Sequence, residues 1–203
     1  MQLSIIIPTF NEHQNLKILL EEWLTTTADR PELIEIIIID DNSPDGTAAI
    51  AKTFINLIPN LVVKSKTTDI GLAEAWIEGC SIAKGRYIGI MDADLCHSSS
   101  DLLRLYDECC SSNASLVIGS RYLAGATGMT GKSLTAIFAS QIAQGIIRTL
   151  FAVPLTDATH SCRVFDRDLL YHVIPEIKSR GNAWLMEFSI MTDRKGFEIS
   201  ELP

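Results

Sequence analysis

Two aspartates, Asp40 and Asp41, end the apolar run IEIIII, and two more, Asp92 and Asp94, follow the run YIGIM one residue apart. A third polar stretch, PTFNE, places Glu12 just after the run SIII. Carboxylates gathered at one place repel each other unless a cation neutralises them, and burial sharpens the conflict. Oxygen ligands of this kind suit Mg²⁺ or Mn²⁺, held by one or two carboxylates together with the phosphates of a substrate. A single strand-end aspartate more often caps a turn or helix, so the weight lies on the two pairs taken together. Cys96 and His97 come directly after the second pair, and His160 and Cys162 stand together later in the chain. The spacings Cys-His and His-x-Cys match no common structural zinc pattern. Small semi-buried cysteines and locally bonded histidines are the expected roles.

These residues act together only if the fold brings them to one place. SIIIP and IEIIIID are continuous isoleucine runs without polar alternation, which is how strands buried on both faces read. Between them Leu16, Leu19, Leu20, Trp23 and Leu24 recur at helical spacing, with Asn11 as N-cap and Gln14 as its capping-box partner. DNSPDG is a turn cluster, followed by a helix carrying Ile50, Phe54, Leu57 and Ile58. Strands over residues 61–63, 87–91 and 116–119 alternate with helices over 72–84 and about 102–110. Such alternation implies an α/β fold with a mostly parallel central sheet and helices on both faces. Ligands of these sheets bind beyond the carboxyl ends of the strands, where all three acidic stretches would fall.

From Ala124 the pattern changes. Gly125, Gly128 and Gly131 mark a loop, and a helix over about 133–151 follows, with Ser140, Gln144 and Arg148 drawing a polar line down an apolar cylinder. That helix is either packed against the core or laid on a membrane surface with its apolar face toward lipid.

The chain's 203 residues, 47% of them hydrophobic, can bury a sizeable core and are most economically one domain over 1–203. A net charge of −8 argues against a nucleic-acid-binding surface but leaves room for a nucleotide ligand. Five cysteines, an odd number, fit a reducing compartment better than a disulfide framework. No signal-peptide pattern opens the chain, and the most lipid-like segment, 133–147, falls short of the ~20 apolar residues of a spanning helix. The expectation is a cytoplasmic protein, with peripheral membrane contact an open alternative. PTFNEH stands where a dinucleotide-binding unit shows GxGxxG, which argues against a dehydrogenase. The acidic pair follows the second strand rather than the first, which argues against a phospho-receiver domain.

SIIIPTFNE, IIIIDDNSPDGT, GLAEAWIEG, YIGIMDADL and VIGSRY, in that order, resemble the successive signatures of family 2 glycosyltransferases. The resemblance is nearest to the polyprenol-phosphate (dolichol-phosphate) mannose synthase group, and it extends through LTDATHSCRVF to ISELP. It implies a glycosyltransferase-A type Rossmann-like domain, with a nucleotide-sugar half over about 1–123 and an acceptor half over about 124–203. It implies an inverting, metal-dependent enzyme that moves a hexose, mannose or glucose, from a donor of GDP-mannose or UDP-glucose type to a polyprenyl phosphate. Carried over by position, Pro8, Phe10 and Glu12 would line the nucleotide site, and Asp41 would contact the base with Asp40 beside it. Asp92 and Asp94 would bridge the diphosphate through Mg²⁺ or Mn²⁺. Arg121 and Arg163 would face the acceptor phosphate or the diphosphate, and Glu187 matches an acidic position near the active site. A transferase acting on a glycan or other acceptor, and a non-catalytic nucleotide-sugar-binding homologue, are the alternatives.

The chain departs from that pattern in places. Cys96 follows MDADL where a polar residue is usual, and Ser98 to Ser100 replace a proline-rich continuation. Asp69 stands where a lysine is common, and Ala136 where an arginine is expected, with Lys132 nearby. TSGFR becomes THSCR, and the chain ends at Pro203 where family members continue with a basic segment. These changes touch acceptor and diphosphate contacts more than the base-binding half.

Overall fold

A computed structural model describes residues 2–28, 33–68, 71–126 and 134–203. Asp69, Gly128, Gly131 and Lys132 lie outside the described residues. The described elements run β1 (Leu3–Thr9), α1 (His13–Thr27), β2 (Ile34–Asp40), α2 (Thr47–Thr53), β3 (Leu61–Ser65), α3 (Leu72–Ile82), β4 (Tyr87–Ile90) and α4 (Ser99–Ser111). The second half continues with β5 (Leu116–Gly119), α5 (Leu134–Phe151), β6 (Arg163–Asp166), α6 (Leu169–His172), α7 (Ala183–Arg194) and β7 (Ile199–Leu202).

The strands form one sheet in the order β3-β2-β1-β4-β6-β5-β7. β1, β2, β3 and β4 are parallel, and β6 runs antiparallel between β4 and β5. The continuous isoleucine runs are buried on both faces, as period-2 alternation requires. Ile5, Ile7, Ile36 and Ile38 pack with Leu16, Leu19 and Trp23 of α1 and with Leu102 of α4. Ile6, Ile37 and Ile39 pack with Trp76 of α3 and with Trp184 and Phe188 of α7. Helix α3 comes so near β1 that a Cβ on Gly79 would stand 2.4 Å from Ile6 Cγ2.

The start of α1 differs from the capping box expected at Asn11 and Gln14. Asn11 has φ +58° and Glu12 occupies the cap position, with no side-chain cap of its own. The helix is capped from the other loop instead. Ser43 Oγ, Thr47 Oγ1 and Asp45 Oδ2 accept from the backbone N–H groups of Asn11, Glu12 and His13 at 3.0, 2.9 and 3.1 Å. The helix after DNSPDG is also shorter than expected, since Phe54, Leu57 and Ile58 lie in turns beyond Thr53. At α4 the SSS stretch is a true N-terminus: Ser98 and Asp101 form a capping box.

Helix α5 reverses the usual amphipathic arrangement. Its polar residues Ser140 and Gln144 turn inward, and Gln144 is buried. Phe138, Ile142, Ile146 and Leu150, four apart, are exposed at 65%, 49%, 52% and 72%. Ile147 and Phe151 on another face are partly buried and pack against the core, so α5 is seated on the protein while this apolar stripe and Arg148 face outward.

Candidate active site

The parallel strands β1, β2 and β4 bring PTFNE, DDNSPDG and MDAD to one rim, at their carboxyl ends. There Pro8, Phe10, Glu12, Asp41, Asp92 and Asp94 line an open cleft. Phe10 is 54% exposed at its mouth. Asp41 Oδ2 accepts from the N–H of Gly71, at the start of α3, at 2.9 Å, which ties the second loop to the third helix. Asp40 is different. It is buried, and it accepts from Thr9 Oγ1 at 3.2 Å and from the Ser43 N–H at 3.1 Å, so it holds the turn rather than facing the cleft.

Asp92 and Asp94 are the cleft's two carboxylates from β4's turn, and neither has a cationic partner among the described residues. Asp94 Oδ1 accepts from the Cys96 N–H at 3.0 Å and is otherwise open to solvent. Burial pushes the Asp92 carboxyl above its ordinary range, against a hydrogen bond from Ser161 that pulls it down. A partly buried carboxylate without a cation, beside a second one, fits a divalent ion completed by substrate phosphates. Among the described residues no three His, Cys, Asp or Glu side chains converge to hold an ion without such help.

A second cavity lies on the other side of the same turn, lined by Cys96 and His97 and by Arg104, Arg121, His160 and Cys162, among others. Two of the departures from the family pattern, Cys96 and the THSCR stretch, meet here, and His97 stands edge-on against His160 with ring centroids 4.5 Å apart. Burial drives the His160 imidazole down to about 3, and it also lowers His97. The four residues of the discounted zinc reading thus line one cavity without forming a ligand set.

Arg121 leaves the end of β5 and is clamped by Asp157. Its Nε and Nη2 donate to the two carboxylate oxygens at 2.7 and 2.9 Å, and Nη2 also reaches Thr159 Oγ1 at 3.2 Å. Asp157 has no exposed surface. Burial opposes its ionisation, but the hydrogen bonds and charge of Arg121 outweigh that and hold its carboxyl below the usual range. Gln144 of α5 donates to Asp157 Oδ1 and Thr159 Oγ1 at 3.3 and 2.9 Å. Glu201 of β7 accepts from the Thr156 and Asp157 N–H groups. Asp157 and Glu201 went unread in the sequence, and Ser161 entered it only as part of the THSCR departure. The one available signal was Gln144 in the polar line of α5.

Two expected site residues sit elsewhere. Arg163 was expected to face a phosphate, but its guanidinium is fully buried and points into the protein. Its bonds run to the carbonyls of Ala158, His160 and Leu185 and to Ser189 Oγ. Glu187 is at neither cavity, and its carboxylate accepts from the N–H groups of Lys178 and Ser179 at 3.0 and 2.7 Å.

A parallel sheet with an acidic rim at the strand ends, joined to an antiparallel strand and a second cavity, is the glycosyltransferase-A type of nucleotide-binding fold. The chain belongs to glycosyl transferase family 2, whose model matches residues 4–174. It is 30% identical over 204 residues to the polyprenol monophosphomannose synthase of Mycolicibacterium smegmatis, covering 98% of this chain and 75% of that protein. It is also 30% identical over 207 residues to the undecaprenyl-phosphate mannosyltransferase of Micrococcus luteus, covering 100% of this chain and 82% of that protein. Among solved structures it resembles glucosyl-3-phosphoglycerate synthase from Mycobacterium tuberculosis in complex with Mn²⁺, UDP-glucose and phosphoglyceric acid. That match has a TM-score of 0.73 at 18% identity, over 98% of this chain and 68% of that one. The protein is a glycosyltransferase by family and fold.

Proposed function

We propose that the protein transfers a hexose, mannose or glucose, with inversion, from a nucleotide-diphosphate sugar of GDP-mannose or UDP-glucose type to a polyprenyl phosphate. The observation that carries this reading is the cleft that Phe10, Asp41, Asp92 and Asp94 share at the strand ends. The likeness to two lipid-phosphate mannosyltransferases over nearly the whole chain supports the acceptor.

In this reading Phe10 stacks on the base or ribose, Pro8 and Glu12 form the wall, and Asp41 bonds the base while Asp40 holds the turn. Asp92 and Asp94 would hold Mg²⁺ or Mn²⁺, which when bound would offset the negative charge of the nucleoside diphosphate leaving group. An acceptor that is already a phosphate is ionised near neutral pH and needs no strong base, which suits a cavity whose histidines burial keeps neutral. Arg121 presents its remaining nitrogen, Nη1, from a guanidinium that Asp157 has already oriented.

The exposed apolar stripe of α5 is the membrane-facing surface in this reading. No helix among the described residues is long and apolar enough to cross a membrane, so contact with a lipid acceptor would be peripheral.

The test is incubation with undecaprenyl phosphate, Mn²⁺ and either GDP-mannose or UDP-glucose, followed by mass spectrometry of the lipid. A hexosyl-phosphate lipid from one donor is expected. A second reading, a nucleotide-sugar-binding homologue without transfer, is favoured by the commitment of both arginines within the protein, Arg163 wholly and Arg121 through Asp157. Donor binding with no transfer to any lipid, glycan or small acceptor would establish it.

A further inference from the structure

β6 lies antiparallel to β4 with Arg163 opposite Ile90, so the residues just before β6 run beside the turn just after β4. Ser161 therefore meets Asp92 across 69 positions of sequence, its hydroxyl donating to Asp92 Oδ2 at 2.5 Å. No other hydrogen bond reaches the Asp92 carboxylate from the described residues, so Oδ1 stays available to the cleft that Asp92 lines.

Both sides of Ser161 are fixed. On one side, Arg163 Nε and Nη2 both donate to the His160 carbonyl, and Nη2 also reaches Ala158 O at 3.4 Å. Arg163 Nη1 donates to Leu185 O and Ser189 Oγ at 3.0 and 3.1 Å, and Ser189 Oγ donates in turn to Ala158 O at 3.1 Å. On the other side, the Cys162 carbonyl accepts from the Gly119 N–H at 2.9 Å. Desolvating a guanidinium is costly. What it does here is supply two N–H donors to the His160 carbonyl, beside Ala158 and Leu185 carbonyls that Ser189 also reaches. The loop is thus tied down on both sides of the hydroxyl that touches Asp92.

We infer that Ser161 is a positioning residue for Asp92, with Arg163 as the clamp that holds Ser161 in place. The inference rests on the reading of Asp92 and Asp94 as the divalent-ion site. The hydroxyl occupies Oδ2 and fixes the carboxylate plane, which would leave Oδ1 for an ion held by Asp92; partners of this kind tune ligating carboxylates, and losing one costs about 10–100-fold in metal affinity.

The experiment is a Mn²⁺ titration of the full chain in the presence of GDP or UDP, read from the free-ion paramagnetic resonance signal. It is paired with calorimetry of the nucleotide without metal and with a melting curve. Ser161→Ala should weaken Mn²⁺ binding by about tenfold or more, while melting temperature and metal-free nucleotide affinity stay at wild-type values. Ser161→Thr, which keeps the hydroxyl, should restore Mn²⁺ binding. Wild-type Mn²⁺ affinity in the alanine variant, or an equal loss of metal-free nucleotide binding, would overturn the role of Ser161. A wild-type chain that binds no Mn²⁺ with either nucleotide would overturn the metal-site reading beneath it, and this inference with it.

Discussion

Asp157 is fully buried yet charged, because Arg121 meets it with two parallel N–H···O bonds. Replacing one partner of such a pair leaves the other uncompensated, at a cost of about 3 kcal/mol. Asp157→Asn should therefore lower stability by roughly that amount in urea denaturation and free Arg121 from its orientation. Its linkage is that of a depressed carboxyl: the stabilisation is present above the ordinary value of 3.8 and is lost as pH falls through the lower native value. His160 acts in a different window. Burial holds its imidazole at about 3 in the native state against 6.5 when exposed, so between those values the unfolded chain binds a proton that the native chain refuses. Stability should fall as pH drops from 6.5 toward 3, and His160→Gln should flatten that slope in melting curves taken across the range. The aspartates at strand ends were legible because each pair directly follows an apolar run that reads as a buried strand. Asp157 escaped because its partners, Arg121, Gln144 and Glu201, come from three other segments.

Among the elements, the strands were legible and the helix ends were not. A run such as IEIIIID can only be a strand buried on both faces, and β2 covers that stretch as Ile34–Asp40. The cap of α1 could not be read locally, since its acceptors Ser43, Asp45 and Thr47 lie in the next turn cluster. That knitting explains why two of the motif stretches occur together: each loop completes the other's hydrogen bonds. Helix α3 depends on a missing side chain. Gly79→Ala would drive a Cβ into Ile6, and overpacking of this sort should cost about 1–3 kcal/mol in chemical denaturation. In α5 the periodicity was visible but its direction was not. Polar partners at Tyr122, Asp157 and Thr159 draw Ser140 and Gln144 inward and leave the apolar stripe outside. Ile142→Glu on that stripe should leave the melting temperature unchanged and reduce co-sedimentation with anionic phospholipid vesicles by about tenfold, since a buried isoleucine contributes roughly 1.5 kcal/mol. Unchanged sedimentation would remove α5 as the lipid-facing surface.

On the scale of the whole molecule, the parallel half and its rim followed from sequence pattern and family resemblance, while the second half required the structure. β6 enters between β4 and β5 against the direction of its neighbours, and that insertion sets THSCR beside MDAD. Four short motifs spread over about three quarters of the chain thus become one site with two cavities, one on each side of the Asp92–Asp94 turn. The most direct test is calorimetric titration of GDP and UDP into the wild-type protein and into Asp94→Ala, each with and without Mn²⁺. The expected result is binding of at least one nucleotide by the wild type, tightened by Mn²⁺, with that tightening lost in Asp94→Ala. No binding of either nucleotide, or binding indifferent both to Mn²⁺ and to Asp94, would contradict a metal-assisted nucleotide-sugar site at this rim.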